Sequence, residues 1–203
     1  LPPQSLELDL QLASGLVLRF EDWAENIRVN ADGDQLQLLL MPDSLYDSNK
    51  TLRYHKLLDG WLRHLAANAA GLQLGTRYIG VDALLTLPPL AVEDARAWLT
   101  AIAQDWVASQ CAPPPLACKT GFAWLVEYHK QLDKTSDENQ ARQRANIKAR
   151  DSYLSGFNST GERDQEPELA RAWPEFTALL AAGLDDWALR LYEPLRKHLE
   201  TSA

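Results

Sequence analysis

One segment constrains the fold more than any other part of the chain. Residues 54–71 read YHKLLDGWLRHLAANAAG, and their apolar side chains recur at steps of one, three and four residues. This spacing predicts an amphipathic helix of about five turns. Its apolar stripe consists of Tyr54, Leu57, Leu58, Trp61, Leu65 and Ala69. Lys56, Asp59 and Arg63 fall outside the stripe and are expected to face water. Gly71 is the expected left-handed residue that ends the helix.

Segments with strand character precede and follow this helix. The four predicted strands before it span residues 6–12, 16–20, 27–29 and 35–41. In the first of them leucine alternates with polar residues, which indicates a half-buried strand, and residues 32–34 (DGD) indicate a hairpin turn. The four segments therefore predict an antiparallel meander of three or four strands. Ser48 or Asn49 can cap the helix. Residues 76–87 predict either one bulged returning strand or two short strands with a bend near Asp82.

The chain after residue 90 has the pattern of helices. The predicted helices span residues 93–110, 121–134, 137–154, 167–183 and 185–200, and residues 155–166 are predicted to form a loop. Pro174 is expected either to start a new turn or to kink the helix at 167–183, and Pro194 is expected to bend the last helix. We therefore predict an α/β fold in which residues 1–90 form the core and residues 91–203 form a helical extension packed on it.

The charge balance limits which partners the chain can bind. The net charge is −8 over 203 residues, so broad electrostatic attraction for nucleic acid is not expected. Contact with DNA would need a local basic patch or a basic partner subunit. The basic residues that could supply such a patch, or a contact with a partner, are Lys119, Arg142, Arg144, Lys148 and Arg150. A solvated helix face is the alternative interpretation of the last four.

Several further classes of protein find no support in the sequence. No apolar run reaches the length of a membrane-spanning helix and no signal peptide is recognisable, so we expect a cytoplasmic protein without a membrane partner. Cys111 and Cys118 lack the spacing of a zinc site. The four histidines are scattered and are expected to be structural or surface residues. The chain begins without methionine, which suggests a piece of a longer polypeptide.

The predicted order of strands, helix and strand matches the core of the PD-(D/E)xK nucleases. Those enzymes hold Mg²⁺ with an Asp at a strand end and an acid-x-Lys sequence on the next strand. The strand that should carry this sequence reads LQLLLM at residues 36–41 and contains neither carboxylate nor lysine. Asp43, Asp47 and Lys50 come near the pattern, but their spacing differs and a solvated turn is the alternative. We therefore predict no catalytic residue, no metal site and no cofactor.

An ordered set of short segments resembles one family. Residues 104–124, QDWVASQCAPPPLACKTGFAW, are similar to a segment near the carboxy end of RecC, the family of gamma subunits of exodeoxyribonuclease V. The other similar segments are residues 58–71, ARDSY at 149–153 with Gly156, ELARAWPEF at 168–176, and LYEPL at 191–195 with Leu199. The set covers nearly the whole chain in the family's order. One departure is Ala117-Cys118, where the family has an aromatic pair, and this argues against base stacking there.

The resemblance implies a PD-(D/E)xK-like domain that has lost its catalytic residues. It implies a scaffold subunit that joins the RecB and RecD motors, helps to split duplex DNA and takes part in recognising Chi. The expected role is subunit docking and strand guidance in double-strand break repair by homologous recombination, with duplex ends and separated single strands as partners. Without the helicase-like domains, this piece should neither unwind DNA nor recognise Chi alone.

Two alternatives remain open at this point. One is an active Mg²⁺-dependent nuclease with an atypical site at Asp9, Asp43 or Asp47. The other is a protein-interaction domain unrelated to DNA.

Overall fold

Both sheets lie in the first of two units into which the chain divides. The computed structural model describes residues 1–157 and 159–200. The first unit comprises residues 1–110 with 195–200, and the second comprises residues 111–194. The predicted boundary between core and extension at residue 90 stays a prediction.

The first sheet is a two-stranded antiparallel hairpin. It consists of β1 (Gln4–Gln11) and β2 (Val17–Ala24), with Leu8 opposite Phe20. Leu6, Leu8 and Leu10 of β1 are buried, whereas the residues between them are exposed. The predicted alternation is therefore confirmed, because one face of the hairpin packs inward and the other faces water.

The second sheet has four strands in the order β3-β4-β5-β6. The strands are β3 (Ile27–Val29), β4 (Gln35–Leu40), β5 (Gly75–Ile79) and β6 (Leu84–Leu87). β4 and β5 are parallel, and the other two pairs are antiparallel. The predicted single meander is wrong: Asn26, at φ 56°, breaks the extended backbone between β2 and β3, and the two strands enter different sheets. The alternative of two short strands in residues 76–87 is confirmed, and Asp82 lies in the turn between them.

The organising helix lies where the sequence predicts it. A 3₁₀ turn, Tyr54–Leu57, leads into α1 (Leu58–Ala69), and Gly71 has φ 88°, as expected of the residue that ends a helix. The predicted cap by Ser48 or Asn49 is wrong, because both precede the helix in a turn that the Tyr46–Leu52 bridge closes.

The helix approaches the second sheet closely at Gly60. A Cβ added there would meet the Leu39 Cδ1 atom at 2.4 Å and the Tyr78 ring at 2.5 Å. Glycine at position 60 therefore allows α1 to pack closely against β4 and β5. α2 (Val92–Ser109) packs on α1 and β1, so the helical layer of the first unit contains both helices.

The second unit is helical. Its helices are α3 (Cys118–Thr135), α4 (Glu138–Tyr153), α5 (Glu162–Gln165), α6 (Pro167–Ala172), α7 (Phe176–Ala181) and α8 (Leu184–Trp187), followed by a π-helical turn at Ala188–Tyr192; α9 (Glu193–Glu200) begins in this unit and ends in the first. The predicted helix 167–183 is broken at Pro174, as the lost N–H of proline requires. The predicted loop at 155–166 contains α5, and the predicted helix 185–200 contains the π turn.

Candidate docking and nucleic-acid interface

The helix hairpin α3–α4 positions all five predicted contact residues, with Lys119 in the first turn of α3 and the other four on α4. Ser136, at φ 54°, ends α3, and the Asp137 side chain accepts a hydrogen bond from the Gln140 N–H at 3.1 Å to begin α4. Fully buried alanines on α4 let the two helices pack closely; they are Ala141, Ala145 and Ala149. Their spacing of four residues defines the inner face of α4, and the basic residues lie around it.

Arg142 is engaged within the protein. Its Nη1 lies 2.7 Å from an Asp185 carboxylate oxygen, its Nε lies 3.2 Å from Glu138, and its guanidinium carbon is 5.9 Å from the Trp124 ring centroid. Burial opposes the charged form, but the hydrogen bond to Glu138 and the charge of Asp185 outweigh it, so the pKa of Arg142 is raised. This side chain anchors α4 to its surroundings in the second unit.

The other three basic residues of α4 face solvent. Arg144, Lys148 and Arg150 are exposed, and Ile147, between the first two, is 55% exposed. Arg144 and Lys148 are one turn apart and therefore neighbours on the helix surface. We call Arg144 and Lys148 the basic face of α4; Arg150 lies six residues after Arg144 and is exposed about 120° away around the helix. The role of these residues in contacting DNA or a partner stays a prediction.

Lys119 belongs to a helix cap that the sequence did not reveal. The N–H groups of Lys119 and Thr120 donate to the two carboxylate oxygens of Glu162 at 2.9 and 2.7 Å. Glu162 is 7% exposed. Its negative charge therefore satisfies two orphan donors at the positive end of the α3 dipole. No local pattern could show this, because 42 residues separate Glu162 from Thr120.

We expect Glu162→Ala to destabilise the second unit by about 2–3 kcal/mol, since it leaves the buried Thr120 N–H and the partly buried Lys119 N–H without an acceptor and removes a charge-assisted cap. Glu162→Gln keeps one acceptor and should cost about half as much. Urea unfolding followed by the fluorescence of the tryptophans measures both. Glu168→Ala, at an exposed glutamate, is the matched control and should cost less than about 1 kcal/mol. Equal losses for Glu162→Ala and Glu168→Ala would contradict the assigned cap.

The near-miss acidic motif forms a turn. The Asp47 side chain accepts hydrogen bonds from the N–H groups of Asn49 and Thr51, each at 2.8 Å. Asp43 is ion-paired with Lys56. Asp9 lies on the exposed face of β1. Within residues 1–157 and 159–200, no group of three His, Cys, Asp or Glu side chains is placed to hold a metal ion.

A buried polar cluster joins α1 to the second sheet and was not recognised in the sequence. The His64 Nδ1 atom lies 3.0 Å from the Thr76 hydroxyl, and the Asn68 side chain bonds three backbone groups. Burial, followed by the charge of His198, lowers the pKa of His64 to about 3. The ring centroids of His64 and His198 are 5.5 Å apart. His64 is therefore a structural residue that is held neutral.

The described residues define a mixed α/β unit and a helical unit with an exposed basic face. No helix among those residues is both long and apolar enough to cross a membrane. A family model for the RecC C-terminal domain matches residues 1–129. The chain belongs to this family, which confirms the resemblance drawn from the sequence.

A curated relative supports the same assignment over a longer stretch. The RecBCD enzyme subunit RecC of Escherichia coli (strain K12) is 26% identical over 196 residues, which cover 96% of this chain. The chain spans 16% of the length of that relative.

Proposed function

We propose that this chain is a catalytically inactive, PD-(D/E)xK-like domain that docks subunits and guides DNA strands in a RecBCD-type complex. The complex would act in the cytoplasm, in double-strand break repair by homologous recombination. Its proposed partners are RecB- and RecD-type subunits, duplex DNA ends and the separated single strands. The support is the family assignment together with the chemistry of one strand.

Strand β4 is the observation that carries the inactive assignment. It lies in the sheet on which α1 packs, and it pairs with β3 on one side and β5 on the other. Its sequence, QLQLLL, offers no carboxylate to bind Mg²⁺ and no lysine to assist an attacking water. A domain with this strand can still serve as a rigid surface.

The basic face of α4, together with the exposed Arg150, is the proposed DNA contact. Arg144, Lys148 and Arg150 are exposed and carry no ion pair with a described residue within 4.0 Å. Exposed cations on one helix can neutralise phosphates even on a chain whose net charge is −8.

We expect reversal of the three charges, Arg144→Glu, Lys148→Glu and Arg150→Glu, to weaken binding of the assembled complex to a forked DNA by about 10-fold or more at moderate salt. The slope of log K against log salt should shrink by about 0.9 for each phosphate contact that is lost. Fluorescence anisotropy over a salt series measures both quantities. Arg171→Glu, at an exposed arginine elsewhere in the second unit, is the matched control and should leave both unchanged.

Two results would overturn the proposed function. Mg²⁺-dependent cleavage of single-stranded DNA by the purified chain, abolished by Asp9→Asn, Asp43→Asn or Asp47→Asn, would favour the atypical nuclease. The second result has two parts: the chain binds neither cognate motor subunit, and complexes with the triple variant bind DNA as well as wild-type complexes do. Together they would favour an interaction domain unrelated to DNA.

A further inference from the structure

One edge of the second sheet is left open beside α1. β3 pairs with residues 35–37 of β4, so its three residues leave the last half of β4 uncovered. The Leu38 N–H donates to the Asn26 carbonyl at 3.2 Å. Beyond that bond the left-handed backbone of Asn26, at φ 56°, turns the chain away. Among the described residues, no strand pairs with Leu39 and Leu40 on the β3 side of β4.

The backbone of β4 presents hydrogen-bonding groups at this edge. The Met41 N–H donates to the Ile79 carbonyl at 2.9 Å, on the β5 side. Because successive residues of a strand direct their N–H and C=O groups to opposite sides, those of Leu40 point to the open side, as does the Leu38 carbonyl. The edge therefore offers one donor flanked by two acceptors. The Leu40 side chain beside them is 77% exposed.

A groove with cationic walls lies along the same edge. Its volume is about 470 Å³, and its floor includes residues 38–41. The charged residues that line it are Arg28, Lys56, Asp59 and Arg63. The Arg63 Nε lies 3.0 Å from Asp59, and Lys56 pairs with Asp43. Arg28 is exposed, and its Nη1 donates to the carbonyl of its neighbour Ile27 at 3.0 Å. With three cations and two carboxylates, the groove is locally positive on a chain of net charge −8.

We propose that this groove docks an extended, carboxylate-bearing segment of a partner protein, which adds to the open edge of β4 as a further strand. The main-chain groups of the segment pair with Leu38 and Leu40, and its carboxylates meet Arg28 and its cationic neighbours. A nucleic acid backbone fits less well, since phosphates accept hydrogen bonds but cannot donate to the carbonyls of Leu38 and Leu40. This inference deepens the docking role proposed above and does not require DNA binding.

The test uses the 203-residue chain and a capped peptide of about six residues that alternates glutamate and valine. Two-dimensional NMR should show saturable shifts of the Leu40 and Met41 amides. The same peptide, N-methylated on alternate residues, lacks the donors for the strand edge and should not bind. Arg28→Glu should weaken binding by about 10-fold, whereas Arg150→Glu, at an exposed arginine in the other unit, should have no effect.

Three outcomes would overturn the inference. They are no saturable shift at about 1 mM peptide, equal binding of the N-methylated peptide, and binding of oligo(dT) at these amides in place of the peptide. The result is also separable from the proposed function. A chain that binds the peptide but no motor subunit keeps the groove and loses the assignment to the complex, whereas a chain that binds a motor subunit but no peptide loses only the groove.

Discussion

The free energy of unfolding of the first unit is expected to fall by about 1.4 kcal/mol for each pH unit between about 6 and 4, because of His64 alone. His64 is fully buried, and burial lowers its pKa from 6.5 to about 3. Between these two values the unfolded state binds a proton that the folded state does not. Stability from this group is therefore fully present above pH 6.5 and is lost as the pH falls toward 3.

The measurement is urea unfolding at several pH values between 4 and 7.5, compared with His64→Asn. Asparagine does not titrate in this range, and its amide can keep the bond to Thr76. The pH slope of the variant should be smaller than that of wild type by about 1.4 kcal/mol per unit. His198→Asn should retain most of the slope, because burial is a larger cause of the shift than the charge of His198. Parallel pH curves for wild type and His64→Asn would contradict the assignment.

Asn68→Ala is expected to destabilise the first unit by about 4 kcal/mol. The Asn68 amide donates to the carbonyls of His64 and Leu74 at 2.8 and 2.9 Å, and its oxygen accepts from the Leu90 N–H at 3.1 Å. The side chain is fully buried. Truncation therefore removes the hydrogen-bond partner of three backbone groups, two of which lie in the connections that lead into β5 and α2.

Chemical denaturation gives the total loss, and hydrogen exchange locates it. The Leu90 amide should lose more protection than amides in the middle of α2, because it loses its acceptor directly. Asn139→Ala, at an exposed asparagine on α4, should change stability by less than about 0.5 kcal/mol. A loss below about 1 kcal/mol for Asn68→Ala would mean that water replaces all three bonds.

Local patterns predicted the elements of the fold better than their arrangement. The apolar stripe around Trp61 and Leu65 predicted α1, and the alternating leucines predicted β1. Both predictions succeed because the periodicity of a helix or a strand depends only on residues that are close in the sequence. The pairing of β2 was not predictable in this way. The chain changes direction between β2 and β3 at Asn26, whose φ is 56°. Asparagine adopts this left-handed conformation more often than most residues, but not at every position, so the sequence does not show where it will occur.

For the candidate sites, too, the sequence shows which residues are available but not how they are arranged. The basic residues of α4 are visible in the sequence, but a charge run does not reveal that Asp185 and Trp124 engage Arg142 while Arg144 faces solvent. The groove beside β4 has no sequence signature, because it arises where β3 ends early. The cap formed by Glu162 joins groups that are distant in the chain.

By itself, the sequence determined most of the segments that become helices and strands, that β4 lacks the side chains of a metal site, and which family the chain resembles. Each of these depends on residue identity and short-range spacing. The tertiary structure alone decided which polar groups are buried, which charges pair, and which strand edge stays open. These depend on long-range contacts, whose free energy is fixed only when distant segments exclude water from one another.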